Sequence, residues 1–441
     1  MLIRDGTLAD GRRRDVRVRG ERIAAVAPTL SAERDERVYD ASGKRVLPGA
    51  VDVHVHFREP GHPHKETWTT GSRSAAAGGV TTVVDQPNTE PPTTTGAAFD
   101  EKADLARDSL VDFGINGGVL PDWEPETLFD RPLFALGEVF LADSTGDMGV
   151  DLDAFRDGVE RATAAGLGVT VHAEDASLFD ESARDRPADD VDAWSAYRTP
   201  EAEVAAVDRA VAVGVQEGAS VHVAHASTPE GIDRVADARM SCEVTPHHLL
   251  LSRADLPDLG TFGRMNPPLR SEERRRRLYE QFVDGILDLV ATDHAPHTRA
   301  EKDASVWAAP SGVPGVETML PLLLAEAAAD RLTYERVVEL TAHNPARLFD
   351  LPEKGTLAPA TDADLVVVDP DDARPIRGAA LHSKADWTPF EGREGVFPEL
   401  TVVRGHVVYE DGAFGPPVGR NVRAPRSVGS RGRERGDERG R

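Results

Sequence analysis

Short apolar runs punctuate the middle of the chain, at residues 50–55, 80–84, 112–119, 133–141, 167–172, 220–225, 242–246 and 286–291. Between most of them lie stretches with helical spacing, such as 97–106, 153–165, 201–216 and 272–282, and further helices are predicted at 316–328 and 334–339. Eight strand–helix units with no Gly-rich dinucleotide loop predict a (β/α)8 barrel of TIM type. A doubly wound sheet with fewer true strands stays open on pattern alone.

The two ends of the chain read differently. Residues 15–19 alternate polar and apolar positions, and 22–26 follow after a Gly-Glu turn. Residues 363–369 and 400–409 are β-rich, with Gly405 marking a turn or bulge. Both ends are therefore predicted to join in one small β-sandwich domain, residues 1–48 plus 352–418, around a barrel at 49–351. From 419 to 441 the chain turns Arg-, Gly- and Ser-rich and reads as a disordered tail.

Composition narrows the function classes. The 441 residues are 40% hydrophobic, enough for a large core. No apolar run reaches the roughly 18 residues of a membrane span, and residues 1–5 lack the apolar core of a signal peptide. The lone cysteine, Cys242, excludes an internal disulfide and a thiolate metal site, and fits a reducing cytoplasm. A net charge of -25 argues against a nucleic-acid partner, because phosphate is repelled. It reads as a solvated acidic surface of the kind found in proteins adapted to high salt.

The 14 histidines are not scattered. His54 and His56 end the first run, His172 the fifth, His222 and His225 the sixth, and His247 and His248 the seventh; Asp293, His294 and His297 follow the eighth. Side chains at the carboxyl ends of barrel strands converge on one mouth. His54 and His56, two apart on a strand, share a face and can hold one divalent cation from one side. With His172, His225 and Asp293 they form a nitrogen–carboxylate set suited to Zn, Mn, Fe or Co. His222, three residues before His225, is expected to face outward against the helices. One of His247 and His248 is expected near the mouth. His62, His64, His343 and His382 read as surface or capping residues, and the polar segment 298–311 is placed to close over the site as a lid.

Several motifs fall in order along residues 1–415. They are Val51-Asp52-Val53-His54-Val55-His56-Phe57-Arg58-Glu59-Pro60-Gly61, Gln86-Pro87-Asn88-Thr89-Glu90-Pro91-Pro92, Thr245-Pro246-His247-His248-Leu249, Asn266-Pro267-Pro268-Leu269-Arg270, and Ala291-Thr292-Asp293-His294-Ala295-Pro296-His297. Together they resemble the dihydroorotases of the amidohydrolase superfamily. The resemblance implies the reversible cyclisation of N-carbamoyl-L-aspartate to L-dihydroorotate in pyrimidine synthesis, and a zinc centre of one or two ions, two being favoured. It implies that His54, His56 and Asp293 bind the more buried ion, and that His172 and His225 bind the other. Arg58, Asn88 and His297 would grip the substrate carboxylate, Asn266 would contact the ring, and Asp293 would shuttle the proton.

Two departures stand out. The family's bridging ligand on the fourth strand is usually a carboxylated lysine, where this chain has Glu138, with Asp143 and Asp147 as fallback ligands. Gln86 replaces a methionine, which is expected to be tolerated. The resemblance further implies a homo-oligomer and admits aspartate transcarbamoylase as a partner. Allantoinases, hydantoinases and non-catalytic homologues are the alternatives; Arg58 and the full ligand set speak against them.

Overall fold

The computed structural model describes residues 1–143, 148–187 and 189–425. All eight apolar runs of the middle region contain a strand. We number them β1 (Ala50–Val55), β2 (Val80–Asp85), β3 (Asp112–Ile115), β4 (Leu136–Phe140), β5 (Val169–His172), β6 (Val221–Val223), β7 (Ser241–Val244) and β8 (Leu289–Val290). Every pairing among them is parallel. The first three form one arc and the last five another.

Two single bridges close the arcs into a barrel. Gly117 pairs with Leu136 across the β3–β4 seam, and Val55 pairs with His294 across the β8–β1 seam. The strands are buried on both faces, as parallel strands covered by helices must be.

The covering helices begin where the sequence supplies caps. Thr67 and Thr70 form a capping box for helix Trp68–Ala77. Thr199 caps helix Pro200–Glu217, whose proline occupies the first turn. That helix stops at Gly218, where a φ of 62° suits glycine. The main apolar core lies between strands and helices, with Phe155, Val171, Val207 and Leu323 among its buried members. A second cluster of buried residues includes Val51, Val53, Leu289 and Leu351, with Phe349 packed against it.

Both ends of the chain meet in a single nine-stranded sheet. Strand Arg45–Pro48, just before β1, pairs antiparallel with Leu365–Pro375, so the late segment lies beside the entry to the barrel. Ile3, Val16, Ile23, Val46, Leu365 and Leu400 share one small core within this sheet.

The ordered chain runs past residue 418, where the tail was expected to begin. Gly419 and Val422 donate to the carbonyls of Ser109 and Phe113, and Phe113 donates to Arg420. A segment rich in charge is held here because barrel backbone at the β3 edge offers it partners; residues 426–441 lie outside the described residues. No helix among the described residues is long and apolar enough to cross a membrane.

Candidate active site

Seven of the expected site residues, His56, Arg58, Asn88, Glu138, His225, Asn266 and Asp293, line one cleft at the carboxyl ends of the strands. Phe140, Ala295, Ser311 and Gly312 complete its wall. His54 and His172 lie just beneath, both buried.

Three of these residues sit where the backbone leaves the strand path. Arg58, His225 and Asp293 have φ of 65°, 35° and 45°. Side-chain-bearing residues take such angles at a cost of about 1–3 kcal/mol each, which the surrounding packing must offset. The gain is direction: each side chain is turned off the pleat into the mouth.

The donor atoms cluster tightly. His54, His56 and Asp293 bring one ligand atom each within 4.8 Å of one another, as do His54, Glu138 and His225. His56 Nε2 is 2.9 Å from Asp293 Oδ1. Glu138 Oε1 lies 2.6 Å from His225 Nε2 and 3.2 Å from His172 Nδ1. His172 Nδ1 is also 3.0 Å from His225 Nε2. Glu138 thus stands among the histidines, and Asp143 does not, because its carboxylate accepts from Gly149 N. Asp147 lies outside the described residues.

This donor set fits a divalent cation. His54 Nε2 points between Glu138 Oε2 (3.3 Å) and Asp293 Oδ1 (3.6 Å), yet is buried without a hydrogen bond. His225 Nδ1 is likewise buried and unpartnered. Burial would lower the His172 pKa, but bonds to Glu138 and Glu174 outweigh it and hold the imidazole at about 9. Burial opposes ionisation of Asp293, yet the His56 bond and the charge of His54 keep its pKa at about 2. The ionised carboxylates supply the pull on a cation, which takes the site in exchange for the imidazole protons.

Outer partners fix the rings. His54 Nδ1 is 2.5 Å from Glu243 Oε1, so its Nε2 lone pair turns to the cluster. His172 is held the opposite way round, with Nε2 at 2.8 Å from Glu174, which Arg198 grips in turn. His56 Nδ1 meets Asn88 Oδ1 at 2.6 Å, so one end of that amide orients a histidine. Glu243, Glu174 and Arg198 were not anticipated. Glu243 carries a signal of its own, a carboxylate inside the apolar run 242–246.

Several expectations need correction. His222 does not face the outer helices: its Nε2 reaches Glu243 Oε2 at 3.2 Å, so it braces the partner of His54. Strand β6 ends at Val223, so alternation does not extend to His225. His297 does not line the cleft. It is fully buried behind Arg58, with Nε2 2.9 Å from Ser311 O. His247 and His248 are both buried, and His248 is spent on Pro267 O. Segment 298–311 is pinned by the buried Lys302, whose Nζ donates to the carbonyls of Arg264, Pro310 and Gly312. Gln86 is more than an incidental replacement, since its amide makes four hydrogen bonds.

Arg58 is the strongest electrostatic feature of the cleft. It is buried, its Nε reaches only Pro296 O at 3.3 Å, and among the described residues no carboxylate lies within ion-pair distance of it. Glu59, its neighbour, accepts instead from Trp68 N. Burial brings the guanidinium pKa down to about 10.

Comparison with known proteins agrees with this geometry. Residues 45–408 match the amidohydrolase family. A dihydroorotase of Halobacterium salinarum is 63% identical over 96% of this chain and 99% of its own. An allantoinase of Rubrobacter xylanophilus is 36% identical over 98% of this chain and 99% of its own. The L-hydantoinase (dihydropyrimidinase) structure from Arthrobacter aurescens superposes with a TM-score of 0.90 at 31% identity, covering 95% of this chain and 98% of that one. With a barrel, a strand-end histidine–carboxylate cluster and matches of this extent, the chain belongs to the amidohydrolase family.

Proposed function

We propose that this protein is a dihydroorotase, catalysing the reversible cyclisation of N-carbamoyl-L-aspartate to L-dihydroorotate in pyrimidine synthesis. The observation that carries the reading is the buried Arg58 facing the cleft without a carboxylate partner. A buried guanidinium without an anion is costly, and a substrate carboxylate is the group its planar fork binds best. Rings lacking that carboxylate, such as allantoin or dihydrouracil, leave the charge unanswered. The high identity to a dihydroorotase over nearly the whole chain supports the same choice.

His54, His56, Glu138, His172, His225 and Asp293 would hold zinc, with two ions favoured. Bound there, the metal supplies the acidity that yields hydroxide near neutral pH and the charge that stabilises a developing oxyanion. The chain's own residues do the rest. Arg58 and the Asn88 amide orient the substrate by its carboxylate, and Asn266 meets the ring. His297 sets Arg58 from behind. In hydrolysis, water oxygen adds to the ring carbonyl carbon, and Asp293 Oδ2 takes its proton, Oδ1 being engaged with His56. The C–N bond then breaks and Asp293 returns that proton to the ring nitrogen. Cyclisation runs the same transfers in reverse. The lone, buried Cys242 suits a cytoplasmic setting.

Turnover assays with dihydroorotate, allantoin and dihydrouracil test the reading, with dihydroorotate expected to be the substrate. Arg58→Ala is expected to raise KM for dihydroorotate by about 100-fold, because truncating one partner of a buried pair costs about 2–5 kcal/mol. Metal content should stay intact. An unchanged KM would remove the recognition role, and turnover of allantoin alone would replace the substrate.

A further inference from the structure

The side chain of Gln86 follows β2, is 2% exposed and does not itself line the cleft. Each position of its amide is used. Nε2 donates to Val53 O at 3.1 Å and Val84 O at 3.4 Å. Oε1 accepts from Asn116 Nδ2 at 3.0 Å and from the backbone N–H of Glu138, also at 3.0 Å. The backbone of the same residue donates to Val55 O and accepts from Lys102 Nζ. One glutamine therefore touches β1 on both sides of His54, the end of β2, the residue after β3, and β4.

The position of this hub matters. β3 and β4 meet at the seam between the two arcs, where one isolated bridge joins them. Three backbone bonds cross that seam, from Phe134 N to Ile115 O, Gly117 N to Ala135 O and Gly137 N to Gly117 O, and the Gln86 bond ties the next residue of β4, Glu138, to the first arc. Glutamate has two methylenes between backbone and carboxylate. A shift of its backbone must be taken up by the χ angles of this short side chain, whose oxygens have to meet His225 and His172 at close range.

We propose that Gln86 is a positioning residue that references Glu138 to the strand carrying His54 and His56, and so sets the geometry of the metal centre. The inference rests on the reading of Glu138 as a ligand. An apolar side chain of the same length would fill the space, but it would leave Glu138 N–H, Asn116 Nδ2 and Val53 O unpaired at that point.

A double-mutant cycle on metal binding separates this role from a merely structural one. Apoprotein would be titrated with Zn2+, and with Co2+ for its visible spectrum, in the wild type, Gln86→Met, Glu138→Gln and the double variant. Glu138→Gln is expected to weaken binding or to remove one equivalent. Gln86→Met is expected to weaken it by about tenfold, the range seen when groups that orient ligands are lost. In the double variant the affinity and Co2+ spectrum should match Glu138→Gln alone. Losses that multiply, or wild-type titration by Gln86→Met, would overturn the inference. Wild-type titration by Glu138→Gln would instead remove Glu138 as a ligand. If Gln86→Met does not fold, Asn116→Ala runs the same cycle, since it loosens the same amide; its effect too should vanish beside Glu138→Gln, and a persisting effect would count against Gln86.

Discussion

His54 commits its two ring nitrogens to different partners. Nδ1 meets Glu243, and Nε2 stays buried and unpartnered between Glu138 and Asp293. Glu243 in turn is braced by His222. A carboxylate behind an imidazole fixes its tautomer and raises its basicity as a ligand. Glu243→Gln keeps the shape and removes the charge, so Zn2+ affinity should fall by about 10- to 100-fold with the fold retained. Competition against a chromophoric chelator would measure it, and an unaltered affinity would show that Glu243 only packs. Residues of this kind were hard to read from the chain. His54 and His56 were legible because they close the first apolar run two residues apart, even though β1 ends at Val55 and its pairing with β2 shifts between Asp52 and Val55. His222 was misread because the pleat ends two residues before His225. Gln86 and Glu243 act on partners 52 and 189 positions away, contacts that no local pattern encodes.

Among elements, one buried lysine bonds the barrel to the terminal sheet. Lys354 Nζ lies 2.5 Å from Asp112 on β3, 2.6 Å from Asp364 and 3.2 Å from Asp362, the last two just ahead of strand Leu365–Pro375. Arg404 adds a second cation on Asp112, at 2.9 Å. The three aspartates have the spacing of a cation site, but Lys354 already supplies the charge. Lys354→Met removes the one cation shared by all three carboxylates, with Arg404 left on Asp112 and Arg22 on Asp362. Breaking a buried pair this way costs about 3–5 kcal/mol, so the urea midpoint should fall accordingly. A loss below about 1 kcal/mol would mean that backbone pairing between Arg45–Pro48 and Leu365–Pro375 holds the joint by itself. Elements of this size were largely legible, because buried parallel strands leave continuous apolar runs and terminal strands leave alternation. The short β8, with two paired residues, was found from its run and not from its length. The docking of residues 419–422 was not foreseen, since its partners, the backbone of Ser109 and Phe113, the Asp112 carboxylate and Glu21 for the Arg420 side chain, are distant in the chain.

For the molecule as a whole, charge sets the expected response to solvent. The net charge is -25, from 76 acidic and 51 basic residues. Two electrostatic effects then oppose each other. Surface pairs such as Arg12–Asp10 and Arg161–Asp157 are attractive, but each is worth about 1 kcal/mol or less and weakens with salt. The excess negative charge is repulsive and acts over longer distances. Screening removes long-range terms first: the Debye length is about 10 Å at 0.1 M salt and about 3 Å at 1 M. Contacts near 3 Å keep more of their attraction than charges farther apart keep of their repulsion. The buried pairs, such as Lys102–Asp85 and Lys354–Asp364, are largely shielded from both. Added KCl should therefore raise Tm by several degrees between about 0.1 and 1 M, a range in which the Debye length shortens about threefold. Calorimetry at fixed pH would measure the change. A Tm that falls over this range would mean that the surface pairs outweigh the net repulsion, and that the acidic excess is a feature of solubility and not of stability.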